Sequence, residues 1–410
     1  MVTTTPPNMQ GDGAATFTVG AQTIWSDATT TARPAVLTSA QRIPALDGLR
    51  GIAIGLVIVY HTVFRLPAAE GGVLATILAA ARLAWTGVDL FFVLSGFLIG
   101  GILLDAVGSP HYFKTFYLRR AYRILPVYFV LMGVFSLRFV FGVKSVGALG
   151  KLTESQLPLL SYFTFTQNIW MAVLGTAGVG TMAMTWSLAI EEQFYLTIPF
   201  LIRKIARSRL PILLLGVVIG APILRTLLLL APERGHFAAF VLMPCRADGL
   251  CMGVLCALAA RTPRLWERLL ARRAVLRAVT GILLLGMIAL TVSGSLAMST
   301  VMVTIGYSWI ALFYASCLLL AVTATKGPLY RVLTNPRLMA LGTLAYFTYL
   351  AHLPIVEACR RAVGLRFPTS TLVAPLGAYA IAVALTLLLA KLSWRFFEQP
   401  PLRRGHVYRY

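Results

Sequence analysis

Arg50 and His61 lie eleven residues apart, separated by a run that is apolar from Ile52 to Tyr60 apart from its glycine. On a helix the two side chains differ by about 20° around the axis and by about 16 Å along it, so they share one face. A guanidinium at one end of such a stripe and an imidazole base near the other suit a ligand that enters beside Arg50 and reacts beside His61. The alternative is a snorkelling Arg50 and a packed, hydrogen-bonded His61.

Other ionisable residues stand inside apolar runs, where a charge costs at least a few kcal/mol and usually lines a cavity. Asp89 precedes Ser95 and Gly96, two small residues suited to close helix approach. Glu191 and Glu192 are adjacent, with Gln193 beside them. A carboxylate next to an imidazole would orient it and stabilise its protonated form, and the sequence leaves open which of the two glutamates faces inward. Arg246 and Asp248 are either a structural ion pair or part of an acceptor pocket. His352, two residues before Pro354, is a further histidine in an apolar run, with helix packing as its alternative role. Arg119, Arg120 and Arg123 cluster before the next apolar run. Clustered arginines suit phosphate recognition, though such a cluster also anchors a helix at a membrane surface.

The elements that must hold these groups are transmembrane helices. Of 410 residues, 58% are hydrophobic and 12% charged, and the mean hydropathy is +0.79. A soluble domain carries about twice that share of charge. Apolar runs near twenty residues recur along the chain. Ten spans are expected, at about 45–65, 86–106, 121–142, 184–202, 210–230, 238–260, 275–293, 299–323, 339–360 and 372–396, giving an all-α integral membrane fold. Residues 157–175, interrupted by Gln167 and Asn168, read as an interfacial or re-entrant piece. Residues 1–41, rich in Thr, Ala, Pro and Gly, read as a disordered tail, and 405–410 as a short C-terminal tail.

The net charge of +22 does not signal nucleic acid, because the basic residues sit in short segments between apolar runs. The segments 107–123, 203–209, 261–273, 324–337 and the C-terminal tail are basic, which places alternate loops and both termini in the cytoplasm. Arg360, Arg361 and Arg366 disagree with that pattern. The five cysteines fall in or near apolar runs without a CxxC or a Cys/His cluster, so no metal site is expected.

Taken in order, the motifs resemble those of the acyltransferase-3 family of bacterial membrane O-acyltransferases. They are Arg50 and His61, Gly87 to Phe97, Arg120 with Arg123, Trp186 to Tyr195, and Phe396 to Pro400. The resemblance covers roughly residues 42–404. It implies ten core helices in the bacterial inner membrane, an acyl-CoA donor (acetyl-CoA by default) with no tightly bound cofactor, and catalysis centred on His61 with Arg50. It also implies that Arg120 and Arg123 act on the CoA side. Some family members carry an additional esterase-like domain. None is expected here, so that either the membrane domain completes transfer or a separate periplasmic transferase does. The leader of 41 residues is a departure from many members.

The resulting expectation is transfer of an acyl group to a hydroxyl of a cell-envelope or secreted glycan or glycosylated product. Arg119, Arg120 and Arg123 would hold the CoA phosphates. The pantetheine arm would follow a continuous hydrophilic path past Arg50. His61 would act as general base, oriented by Glu191 or Glu192, with Asp89, Arg246, Asp248 and His352 as acceptor contacts. His61 as an acyl-accepting nucleophile is the mechanistic alternative. A proton-coupled secondary transporter is the alternative function, disfavoured because no inverted repeat is evident.

Overall fold

The protein, seen in a computed structural model, is described for residues 37–38, 42–63, 81–140, 157–231, 234–293, 296–363 and 373–410. The expected tail at 1–41 lies outside these residues except at 37 and 38. The described residues are helical, without strands.

The helices are α1 (Pro44–Val63), α2 (Gly87–Ala106), α3 (Tyr112–Val140), α4 (Leu159–Phe163), α5 (Gln167–Leu174), α6 (Thr185–Lys204), α7 (Leu210–Leu228), α8 (Gly235–Val241) and α9 (Met243–Ala260). There follow α10 (Pro263–Ala271), α11 (Arg273–Val292), α12 (Tyr307–Thr323), α13 (Pro328–Leu333), α14 (Pro336–Thr343), α15 (Ala345–Ala362), α16 (Val373–Ser393) and α17 (Gln399–Gly405). Among the described residues, eight helical segments are long and apolar enough to cross a membrane, or nine if the bent pair α14 and α15 counts as one span. The expected span at 184–202 corresponds to α6, which carries Glu191, Glu192, Arg203 and Lys204 and is not among those eight. Helices α7 and α11 turn most of their apolar surface outward, with Ile212, Ile219, Ile282 and Leu285 all exposed, as a lipid-facing surface requires.

The centre of the bundle is α2 packed on α9. A Cβ on Gly96 would lie 1.9 Å from the Leu250 carbonyl oxygen, and one on Gly253 would lie 2.2 Å from that of Val93. Only glycine lets these backbones touch, and the contact fixes Asp89 on α2 opposite Arg246 on α9. Two breaks supply the remaining geometry. At Leu242 the backbone is extended and Pro244 restarts the helix, a favoured place for proline because its missing N–H has no partner in the first turn. Arg246 and Asp248 therefore occupy the first turns of α9. Helices α14 and α15 meet at 72°. A Cβ on Gly342 would lie 2.0 Å from the Asp47 carbonyl oxygen, so α14 presses directly on α1 and brings α15 alongside it.

The segment read as re-entrant forms α4 and α5. Gln167 and Asn168, which interrupt its apolar run, are wholly buried. Gln167 donates to the Thr185 carbonyl at 3.0 Å and Asn168 to that of Val241 at 3.1 Å, while Gln193 donates to Asn168 Oδ1 at 2.8 Å. These polar residues tie α5 to α6 and α8. Arg360 and Arg361, the exceptions to the charge pattern, both bind Glu357, at 3.1 and 2.8 Å. Arg366 lies outside the described residues.

Candidate functional site

The polar residues of the bundle surround two cavities. Arg50, Arg120, Arg123 and Glu191 line the first, with Ser95, Tyr195 and Glu398. His61, Asp89 and Arg246 line the second, with Tyr60, Trp85, Trp186, Phe237 and Phe240. Val88 and Tyr349 belong to the walls of both. Helix α1 thus presents Arg50 to one cavity and His61 to the other, from the face their spacing gives them. Where one continuous hydrophilic path was expected between them, there are two cavities that share wall residues. The Tyr349 hydroxyl donates to the Met184 carbonyl at 3.0 Å and hydrogen-bonds Ser187, which holds its side chain in that shared wall.

In the arginine cavity, Arg50 pairs with Asp47 at 3.0 Å and the Arg120 guanidinium lies over the Tyr195 ring, 5.2 Å from its centre. Arg119 points elsewhere. Its Nε donates to the Tyr408 carbonyl at 2.8 Å and its guanidinium lies over the Tyr410 ring. The grouping of Arg119 with Arg120 and Arg123 is therefore corrected: successive residues on a helix face different directions, and only the last two, three apart, share the cavity side. The phenol of Tyr410 is pushed above its ordinary pKa by burial, so it stays neutral beside Arg119.

The glutamates separate likewise. Glu191 lines the arginine cavity and accepts from Ser95 at 3.1 Å and from Tyr195 at 2.8 Å. Glu192 lines neither cavity, and its buried Oε1 has no hydrogen-bond partner. The expected carboxylate contact to His61 is not formed by either residue. An imidazole stands there instead: His352 Nε2 lies 3.3 Å from His61 Nδ1, with ring centres 4.8 Å apart. His352 lies behind His61, against Thr62 and Val356, and not in the wall of the second cavity. This corrects its expected place among acceptor contacts.

The second cavity is floored by an ion pair. Arg246 binds Asp89 at 2.5 Å, and both side chains are at least 95% buried. The Arg246 guanidinium lies 3.8 Å from the Tyr307 ring centre, with Trp186 and Phe240 also facing it. Such cation–π contacts stabilise a charge held away from water. Asp89 Oδ2 and Arg246 Nη1 are buried without hydrogen-bond partners, an arrangement that a polar ligand in the cavity would complete.

Asp248 does not pair with Arg246. Its partner is Arg225, at 2.9 Å, and it also accepts from Ser308 at 2.6 Å. Arg225 is wholly buried and donates to the Cys245 and Val303 carbonyls besides. Asp248 Oδ2 is thus taken by Arg225 and Ser308, and Oδ1 accepts the Gly249 N–H of its own helix at 3.0 Å; it lines neither cavity, unlike the acceptor contact expected of it. Sequence reasoning missed Arg225, although an arginine inside the apolar run 210–230 was the signal. It also missed Tyr349, which looks like an ordinary aromatic. The described residues hold no group of three His, Cys, Asp or Glu able to bind a metal.

A family model described as an acyltransferase domain matches residues 43–394. The peptidoglycan O-acetyltransferase OatA of Listeria monocytogenes is 30% identical over 389 residues, covering 90% of this chain and 57% of that protein. The O-acetyltransferase OatA of Staphylococcus aureus is 24% identical over 393 residues, covering 90% and 58%. The chain therefore spans little more than half the length of these relatives. No solved structure matches.

Proposed function

The chain belongs to the acyltransferase-domain family, and we propose that it is a multi-pass membrane O-acyltransferase with acyl-CoA, acetyl-CoA by default, as donor. The acceptor is a hydroxyl of a cell-envelope or secreted glycan or glycosylated product. The observation that carries this reading is the pair of cavities meeting at Tyr349, one lined by Arg50, Arg120 and Arg123 and the other by His61.

CoA is a polyanion on a flexible arm. Arg120 and Arg123 bind its phosphates by charge-assisted hydrogen bonds, and the arginine cavity faces the cytoplasm. The pantetheine arm runs past Arg50 and Ser95 toward Phe91 and Tyr349, and displacement of the Tyr349 ring admits the thioester to the second cavity. There the rings of Trp85, Trp186 and Phe240 offer stacking faces for a sugar, and Asp89 and Arg246 offer polar contacts that orient it. His61 takes the proton of the acceptor hydroxyl as its oxygen attacks the acyl carbon; the C–S bond breaks and the thiolate leaves. Peptidoglycan, which the name of the Listeria relative specifies, is an acceptor of the chemistry this cavity suits.

The test is acetyl-CoA binding and acetyl transfer by the purified protein in lipid bilayers. Binding that is lost on Arg120→Ala and Arg123→Ala, with release of free CoA thiol, is expected. A protein that neither binds nor cleaves acetyl-CoA but moves protons across the bilayer would be a transporter.

A further inference from the structure

The contacts of the imidazole behind His61 bear on where the protons are. His352 Nδ1 lies 2.7 Å from the Tyr349 carbonyl oxygen and 3.2 Å from that of Thr348. Carbonyls only accept, so Nδ1 carries the hydrogen of the neutral ring and Nε2 carries the lone pair. That Nε2 faces His61 Nδ1 at 3.3 Å. His61 Nδ1 also lies 2.8 Å from the Val57 carbonyl oxygen, which again requires a hydrogen there. For neutral rings these contacts agree on one assignment: His61 Nδ1–H donates to Val57 and to His352, and the His61 lone pair is on Nε2.

We propose that His352 is the positioning residue for His61, acting through Nε2 as the neutral acceptor that holds His61 in the tautomer with a basic Nε2. This rests on the reading of His61 as general base. Which nitrogen of a histidine is basic is set by what its other nitrogen bonds. A carboxylate does this in many acyl-transfer sites; here both oxygens of Glu191 are bound by Ser95 and Tyr195, and the position is filled by an imidazole buried to 3% exposure. The Val57 carbonyl alone is a weaker holder, because it is also placed to accept the backbone N–H of His61 in the helix.

The protons balance without any change on His352. The acceptor hydroxyl gives its proton to His61 Nε2 as its oxygen bonds to the acyl carbon. The C–S bond breaks, and the proton on Nε2 passes to the departing thiolate sulfur. Throughout, Nδ1–H of His61 remains donated to His352, which disperses the positive charge that the ring carries between the two transfers.

The experiment is nitrogen NMR of the full-length protein with 15N-labelled histidine, the signals of His61 and His352 being assigned by substitution. It is read beside acetyl-transfer kinetics. Wild-type protein is expected to show protonated Nδ1 and unprotonated Nε2 on His61. In His352→Phe, His61 becomes a mixture of tautomers, kcat falls about tenfold, and KM for acetyl-CoA is unchanged. In His352→Gln, whose amide oxygen replaces the acceptor, the wild-type tautomer and most of kcat return. A His61 signal with protonated Nε2 in the wild type overturns the proposal, as does a His352→Phe protein with the wild-type tautomer and kcat. Should His352→Phe fail to fold, the decision passes to His352→Gln: full activity with mixed tautomers overturns the proposal, and full activity with the wild-type tautomer sustains it. Undiminished transfer by His61→Ala would instead remove the general-base reading beneath it.

Discussion

Arg50 and His61 stand on one face of α1 but open into different cavities, with Tyr349 in the walls of both. The two ends of the proposed site can therefore be perturbed separately.

In the proposed function the arginine end sets donor affinity. Arg123→Ala and Arg120→Ala each remove a charged contact of a kind worth about 1.5–3 kcal/mol. Each is expected to raise KM for acetyl-CoA by about 10–100-fold, with a smaller effect on kcat. Arg119→Ala, whose guanidinium is held by Tyr408 and Tyr410, is expected to leave that KM within a factor of two or so on the same scale. Steady-state kinetics on the three variants separate them, and an equal rise for Arg119→Ala would return it to the phosphate site.

In the proposed function the acyl group passes Tyr349 between the cavities. Tyr349→Trp is expected to leave acetyl-CoA binding intact while reducing transfer by at least about tenfold, because the larger ring cannot swing clear. Calorimetric binding beside transfer rates reads the two apart. Transfer at the wild-type rate would mean that the acyl group takes another route.

In the proposed function the floor of the second cavity sets acceptor recognition. Asp89→Asn keeps the shape but removes the charge opposite Arg246. It is expected to raise KM for the acceptor and to leave KM for acetyl-CoA unchanged. Loss of donor affinity instead would place Asp89 on the wrong side of the junction.

The knot around Arg225 sets stability. Arg225→Met leaves Asp248 buried and unpaired, a change that costs about 3–5 kcal/mol, and the variant is expected to unfold at a clearly lower temperature. Arg225→Met with Asp248→Leu removes both charges and should recover most of the loss. Thermal unfolding in detergent, compared across wild type, single and double variants, checks this. A double variant as unstable as the single one would show that the hydrogen bonds to Cys245 and Val303 matter more than the charge pair.

Much of this architecture was legible in the sequence because lipid imposes a strong pattern: an apolar run near twenty residues has one solution, and α1, α2, α7 and α11 fall where their runs do. The shared face of Arg50 and His61 followed from helical geometry alone. What could not be read was long-range pairing. Whether Arg246 meets Asp248 two residues away or Asp89 on another helix depends on the Gly96–Gly253 contact, which is a property of two helices at once. The same holds for His352, brought behind His61 by the 72° bend between α14 and α15. Gln167 and Asn168 looked like a break in a span because their partners, Thr185 and Val241, lie in later segments.

His61 carries the largest expected effect, since removing a positioned general base costs about 10²–10⁴-fold. The decisive comparison is mass spectrometry of envelope glycans and secreted products from cells lacking the gene, complemented with wild type or with His61→Ala expressed at equal membrane levels. The wild-type gene is expected to restore a species heavier by one acetyl group, and His61→Ala to restore none. An equal acetylated signal from both genes would contradict the role given to His61.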